Sequence, residues 1–285
     1  MKEYRNSVFT GERALFATSG AEIEECVFED GESPLKESEH LRIKASRFLW
    51  KYPLWYCRDV YAASSELGET ARSGIWYTRG ITMEKCEINA PKTFRRSSGI
   101  SLTDVNMPNA LESMWSCNDI KLRRVKIVGD YFGMNSKRID AEELDVLGNY
   151  IFDGGRDIVV RNSRLISKDS FWNCENVTVY DSYIEGEYIG WNSKNVTFVN
   201  CEISSNQGFC YMENLKMVNC RLKDTDLAFE YSTVDVDIRS HIVSVKNPTA
   251  GIIRAESIGE VILEDDIVCT DMTKIIIGEE REDKF

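Results

Sequence analysis

An apolar residue returns every 19 to 21 positions along most of the chain, and no other feature of the sequence restricts the fold as much. The repeating unit reads apolar, any, apolar, any, any, small or apolar, any, apolar. Its first slot falls at Ala21, Leu41, Val60, Ile81, Ile100, Ile120, Ile139, Ile158, Val177, Val196 and Leu215. Two residues on stand Ile23, Ile43, Ala62, Met83, Leu102, Leu122, Ala141, Val160, Val179, Phe198 and Met217, and seven residues on a third apolar column runs from Phe28 and Phe48 to Ile203 and Leu222. Alternation with a period of two in short segments means strands. A constant spacing of this size means a solenoid, because one coil cannot bury its apolar side without a neighbour. Equivalent strands one coil apart then run parallel, and each column becomes a ladder of like side chains about 4.8 Å apart.

Immediately before the first slot stand Gly20, His40, Asp59, Gly80, Gly99, Asp119, Arg138, Asp157, Asn176, Asn195 and Asn214. Most of these tolerate a left-handed backbone, which marks a corner between two strands. Parallel crossovers are overwhelmingly right-handed, so the expected fold is all-β, a single-stranded right-handed parallel β-helix of about a dozen coils. Its expected organisation is one domain, with residues 1–14 as an N-terminal cap, 15–244 as regular coils and 245–285 as an irregular last coil and cap. Irregular terminal coils cover the open ends of a solenoid. Past Leu222 the spacing loosens; Val236, Ile238 and Val243 read as one more coil, and Val261, Leu263 and Val268 as the last.

Composition narrows the class of function. The chain has 285 residues, 42% of them hydrophobic, and carries a formal net charge of −12. That charge opposes the phosphate neutralisation on which nucleic-acid binding depends, so neither nucleic acid nor an anionic membrane is an expected partner. The N-terminal stretch shows no apolar run of signal-peptide length and nothing elsewhere has the apolar length of a membrane span; the expected location is the cytoplasm. Seven of the nine cysteines fall in repeat slots: Cys26, Cys86, Cys201 and Cys220 in the small slot, Cys57, Cys117 and Cys174 three residues before the first slot. They read as reduced core residues, since free cysteine behaves as a small buried hydrophobe.

Two outward faces of the coil carry ordinary mixed charge, and the third differs. Five residues before the first slot stand Trp55, Trp76, Arg95, Trp115, Trp172 and Trp191, so that five of the six tryptophans share one column. The next position holds Tyr56, Tyr77, Arg96, Asn135, Asn173, Asn192 and Tyr211, and the preceding corner adds Tyr52, Tyr131, Tyr150 and Tyr188. Aromatic planes interleaved with hydrogen-bonding groups at the spacing of the coils match an extended oligosaccharide or polysaccharide. Two other arrangements fit the same pattern: the tryptophans turned inward or under a covering loop, or an exposed patch that binds a protein or a second copy of the chain. Parity leaves this open, because Leu54, Ile75, Phe94, Met114, Phe152, Phe171 and Phe209, one residue earlier, also read as buried.

For catalysis this face offers the carboxylates Asp130, Asp153, Asp169 and Glu187, with Arg95, Arg96, Lys137, Arg156 and Lys168 near them in the repeat frame. Neighbouring coils can bring two carboxylates to the separations at which glycosidases use them, and apolar surroundings raise the pKa of one. An enzyme of this design would be a lyase, hydrolase or epimerase of saccharides. No metal or cofactor is expected: the two histidines, His40 at a corner and His241 at a core slot, support neither a metal site nor a Ser-His-Asp triad, and no phosphate-binding glycine motif occurs. Asn176-Val-Thr and Asn195-Val-Thr match a glycosylation pattern, but each Asn is a corner residue.

The segments GERALF (11–16), GESPLKES (31–38), KYPLWY (51–56), APKTFR (90–95), GNYIFDG (148–154), SKDSFWN (167–173), GEYIGWNS (186–193) and FEYSTVDVDI (229–238) resemble a mostly bacterial family, domain of unknown function 3737, placed among the pectin-lyase-like β-helices. The resemblance covers nearly the whole chain and implies the β-helix without naming a reaction. Its segments coincide with the aromatic face at Trp55, Tyr56, Arg95, Asp153, Trp172, Asn173, Trp191 and Asn192. The calcium-binding aspartates and catalytic Arg or Asp sets usual in pectin-lyase-like enzymes do not map onto these positions. The functional expectation is therefore a protein that binds or processes a carbohydrate along the aromatic outer face, with a non-enzymatic scaffold using the same face as the alternative.

Overall fold

The computed structural model describes residues 2–264 and 272–278. Parallel strands stack as a β-solenoid of about 14 turns of roughly 19 residues, with no helix among the described residues. Two compact units, Met1–Gly148 and Asn149–Phe285, are built from the same coil.

In the first unit each coil opens with a six-residue strand: Ser19–Glu24, Glu39–Lys44, Arg58–Ala63, Arg79–Glu84, Ser98–Thr103, Asn118–Arg123 and Lys137–Glu142 follow in turn. Registers set Ala21 opposite Leu41, and then Val60, Ile81, Ile100, Ile120 and Ile139 one after another. That is the column read from the sequence, and no member is more than 2% exposed. Lys2–Arg5 joins the same ladder with Tyr4 opposite Ile23, so the expected cap residues also form a coil in register. In the second unit Ile158, Val177, Val196, Leu215 and Val234 stand opposite one another. Like rings stack along the axis: Phe28 lies 4.7 Å from Phe48 with planes 7° apart. Each such buried side chain contributes about 1.5–3 kcal/mol through its apolar surface.

Four corners per coil take a left-handed backbone, one of them eight residues before the first slot at Ser33, Tyr52, Ser73, Lys92 and Tyr131. The expected one holds His40, Asp59 and Asp119 at φ between 47° and 57°. A second, four residues after the first slot, holds Glu25, Ala45, Ser64, Lys85 and Arg124, and a third, four residues before it, holds Tyr56, Tyr77, Arg96 and Asn135. For a residue with a side chain this conformation costs roughly 1–2 kcal/mol. At the second and third corners the stack offsets it by giving the corner N–H a carbonyl one coil on, as from Glu25 to Lys44 at 3.0 Å, Ala45 to Ala63 at 3.0 Å and Tyr56 to Trp76 at 2.9 Å, which satisfies those donors. At the first corner of the second unit the side chains join in. Asn176 donates to Asp157 at 2.9 Å, Asn195 to Asn176 at 3.0 Å and Asn214 to Asn195 at 2.9 Å. Asn176 and Asn195 are rungs of that ladder.

The small buried slots are hydrogen-bonding positions. The Ser46 hydroxyl accepts from the Cys26 N–H at 3.1 Å and donates to the Lys44 carbonyl at 2.8 Å; Ser97, Ser136 and Ser193 accept in the same way from Thr78, Cys117 and Cys174. Cysteine fits the same space, and eight cysteines are free and buried. Cys269 lies outside the described residues. Burial pushes the thiols of Cys57 and Cys117 up to about 12.

The last coils depart from the expected frame. Register shifts between Met217 and Cys220 and again between Ile238 and His241 shorten the step from coil to coil, so that His241 faces Ser257 only 16 residues on. Counting by nineteen therefore drifts off the core. Val236 and Ile238 are buried, but Val243 is 43% exposed, and Val261 and Leu263 are 40% and 49% exposed. Their places are taken by Ile242, Ile253 and Ala255. His241 is exposed, with its Nδ1 2.8 Å from the Ser257 hydroxyl. Val268 lies outside the described residues.

Candidate functional site

Two adjacent columns form the unusual face, and the coil fixes their direction. Leu54, Ile75, Phe94 and Met114 are fully buried, so the next residue of each coil points outward: Trp55, Trp76, Arg95 and Trp115 are half-buried there. The residue after that sits at the third left-handed corner and stands further out, Tyr56 at 45% exposure.

The indoles are built into the coil rather than lying on it. Nε1 of Trp55 donates to the Ser73 carbonyl at 2.5 Å, that of Trp76 to Lys92 at 2.9 Å and that of Trp115 to Tyr131 at 2.6 Å. Trp55 and Trp76 stack at 5.2 Å with planes 7° apart. The Arg95 guanidinium continues the pile, 4.6 Å from the ring centre of Trp76 and 4.6 Å from that of Trp115, and its Nη2 lies 3.8 Å from Glu112. Ring faces are thus occupied by one another, and what this column turns to solvent is indole edge.

Tyr56 and Tyr77 form a second stack beside it, 4.8 Å apart with planes 7° from parallel. Lys36 Nζ lies 5.6 Å from the centre of the Tyr56 ring and the Arg96 guanidinium 6.0 Å from that of Tyr77. These side chains line an open polar cleft of about 780 Å³, whose walls also include Arg58, Arg79, Glu37 and Glu39. Of this cleft the sequence indicated Tyr56, Tyr77 and Arg96; Lys36, Arg58 and Arg79 were missed. Arg58 and Arg79 occupy a column that reads as ordinary mixed charge. The signal available was two like charges on neighbouring rungs.

Elsewhere in the first unit, Asn135 is exposed at its corner, and Asp130 precedes Tyr131, its carbonyl accepting from the Glu112 N–H at 2.9 Å.

The second unit carries the other expected residues. Trp172 donates from Nε1 to the Tyr188 carbonyl at 2.7 Å and tilts against Trp191 at 5.9 Å; Trp191 tilts against Tyr211 at 5.0 Å. Asn192 donates to Asn173 at 2.9 Å, and Asn173 to Asp153 at 3.0 Å. Glu187 pairs with Lys168 at 3.3 Å. Asp169 is 1% exposed, and neither carboxyl oxygen has a hydrogen-bond partner. Burial pushes its carboxyl above the usual range, against the pull of Lys168 and the nearby Tyr150 hydroxyl, while Glu187 and Asp153 push it further up. A carboxyl enclosed in this way does not meet a substrate in the resting coil. Asp153 and Glu187 reach the surface but are held by Asn173 and Lys168, so the free acid and base that saccharide chemistry requires are not set facing each other.

Among the described residues no group of three or more His, Cys, Asp or Glu is placed to hold a metal ion, and no helix is long and apolar enough to cross a membrane. One family model matches the chain, over residues 2–276; its description is protein of unknown function (DUF3737). No curated protein matches.

Proposed function

The chain belongs to the DUF3737 family, and we propose that it binds an oligosaccharide on the outer face of its coils, with the cleft around Tyr56 and Tyr77 as the principal site. The observation that carries this reading is the cleft itself: about 780 Å³, open, with two stacked tyrosines between multidentate cationic donors. Binding sites combine an apolar platform with a few directed polar groups, and a sugar offers both C–H faces and hydroxyls to such a wall. The likeness to pectin-lyase-like β-helices supports a saccharide but is an analogy of fold, and function follows sites rather than folds. We place the role in binding rather than catalysis, because Asp169 is sealed and Asp153 and Glu187 are held by neighbours.

The test is a glycan array followed by titration of the hits, read by intrinsic fluorescence. Trp55 and Trp76 lie 6.5 Å and 6.4 Å from Tyr77 and would report occupancy. Tyr77→Ala is expected to weaken binding at least tenfold, about 1.4 kcal/mol. A wild-type protein that binds nothing on the array removes the proposal.

One observation favours a scaffold role, though in a different column of the coil from the aromatic face. Val128 and Leu147 face each other on neighbouring rungs and are 44% and 52% exposed, an apolar pair of the kind that seats a protein partner. Self-association in light scattering that disappears in Val128→Glu with Leu147→Glu would support it.

A further inference from the structure

We infer that the cleft selects an anionic saccharide, its oxyanions held by Arg58 and Arg79. This rests on the oligosaccharide reading and adds the charge of the ligand to it. The chain has a net charge of −12, yet the cleft sets four cations, Lys36, Arg58, Arg79 and Arg96, against two carboxylates, Glu37 and Glu39. Of those two, Glu37 lies 3.8 Å from Lys36 and offsets that cation, while Glu39 accepts from the Ser19 hydroxyl at 3.1 Å, which leaves Arg58, Arg79 and Arg96 as the surplus.

The ladders of this protein show what an unliganded surface looks like. A cation on one coil usually has a carboxylate on the next: Arg5 and Glu24 at 2.8 Å, Arg47 and Glu66 at 2.9 Å, Arg138 and Asp119 at 2.6 Å. In the very column that holds Arg58 and Arg79, the second unit pairs Arg156 with Glu175 at 3.0 Å and Lys194 with Glu213 at 2.9 Å. Arg58 and Arg79 depart from that pattern, although Glu39 is the register partner of Arg58 on its other side. They are register partners on adjacent strands, and among the described residues neither has a carboxylate in ion-pair range. Like charges directly opposite one another destabilise a sheet, and a local choice that works against the fold points to a functional site.

The ligand chemistry follows from the spacing. Two guanidinium forks one rung apart, about 4.8 Å, each offer a bidentate seat for a carboxylate or sulfate. A short saccharide lying along the axis, with an anionic group on neighbouring residues, presents oxyanions at comparable steps, while Tyr56 and Tyr77 pack its rings. Because this wall carries a surplus of positive charge on a chain whose net charge is −12, a short anionic ligand fits it better than a long polyanion that must also cross acidic surface.

Four probes test this by isothermal titration: heparin hexasaccharide for sulfates, hexagalacturonate for carboxylates, cellohexaose as the neutral sugar, and inorganic phosphate. Expected is anionic binding at least tenfold tighter than that of cellohexaose, weakening with salt, and lost by about tenfold for each arginine replaced in Arg58→Gln and Arg79→Gln. The control Arg47→Gln binds as wild type, and circular dichroism and melting verify that all variants fold. Tight binding of cellohexaose that ignores the arginine changes overturns the anion inference and leaves the oligosaccharide reading standing. Phosphate bound as tightly as either hexasaccharide sustains the anion site and sinks the oligosaccharide reading. No binding by any probe overturns both.

Discussion

Trp76 stacks on Trp55 with ring centres 5.2 Å apart and planes 7° from parallel, and this relation decides what the aromatic column is for. Sugars are held on aromatic faces, and here one face of each indole is covered by the next coil. The column therefore stiffens the outer wall, while the tyrosines and cations beside it are the groups left to recognise a ligand.

Removing the middle of that stack should be costly. Trp76 touches Trp55 on one side and Arg95 on the other, and its Nε1 is bonded to the Lys92 carbonyl at 2.9 Å. A half-buried indole with these contacts is worth roughly 2–4 kcal/mol. Trp76→Ala is expected to lower stability by about that amount in guanidinium unfolding, and Trp76→Phe by about half as much, because a phenyl ring keeps the stacking and loses the hydrogen bond. A loss under about 0.5 kcal/mol in Trp76→Ala would mean that the stack does not support the coil.

Much of this was legible in the sequence, for a physical reason. An inward column must be apolar in every coil, so Ala21, Leu41, Val60 and their successors announce themselves. The corner before them is equally plain, because Gly, Asn and Asp accept a left-handed backbone most readily. The second corner was not, since Ala45, Lys85 and Arg124 adopt it at φ near 50° and lean on the inter-coil hydrogen bond instead. The register shifts near Met217 and Ile238 showed only as a loosening of the spacing past Leu222, and their positions, set by strand pairing, did not. In the site, parity against Leu54 left the course of Trp55 open, and that course, the orientation of the ring planes, the burial of Asp169 and the pairing of Arg58 with Arg79 depend on which side chains meet across coils.

Asp169 gives the protein a pH dependence of known sign. Its carboxyl is raised by burial, so the folded chain binds this proton more tightly than the unfolded one. Stability from this group is then complete below the ordinary Asp range, about 3.9, and falls as pH rises through the raised value. Asp169→Asn removes the dependence. Its melting temperature should exceed that of wild type at about pH 8, and the difference should vanish near about pH 3. A wild-type advantage at the higher pH would mean that the ionised carboxylate is paired after all.

The asparagine ladder separates backbone from side-chain effects. Asn195 takes φ 53° and bonds to Asn176 and Asn214 through its side chain. Asn195→Gly keeps the left-handed corner and loses two hydrogen bonds, for an expected loss of roughly 1–3 kcal/mol. Asn195→Val loses both bonds and adds the strain of a β-branched residue with positive φ, so its loss should exceed that of Asn195→Gly by roughly 1–2 kcal/mol. Equal losses in urea unfolding would show that the corner carries no strain.

The same logic applied to the cleft predicts opposite changes in stability and binding. Arg156 and Glu175 show the paired arrangement of the same column: adjacent rungs carry opposite charges 3.0 Å apart. Arg79→Glu installs that pattern beside Arg58. Without ligand the variant should be more stable than wild type by about 0.2–1 kcal/mol, the usual value of a cross-strand opposite-charge pair against a like-charge one, and the gain should shrink in high salt because both side chains are exposed. Anionic ligand should bind to it at least a hundredfold more weakly, since one seat is lost and a negative charge stands in its place. Sites kept for function trade stability in this way. A variant less stable than wild type, or one that binds heparin hexasaccharide undiminished, would show that Arg58 and Arg79 are ordinary solvated side chains whose adjacency has no consequence.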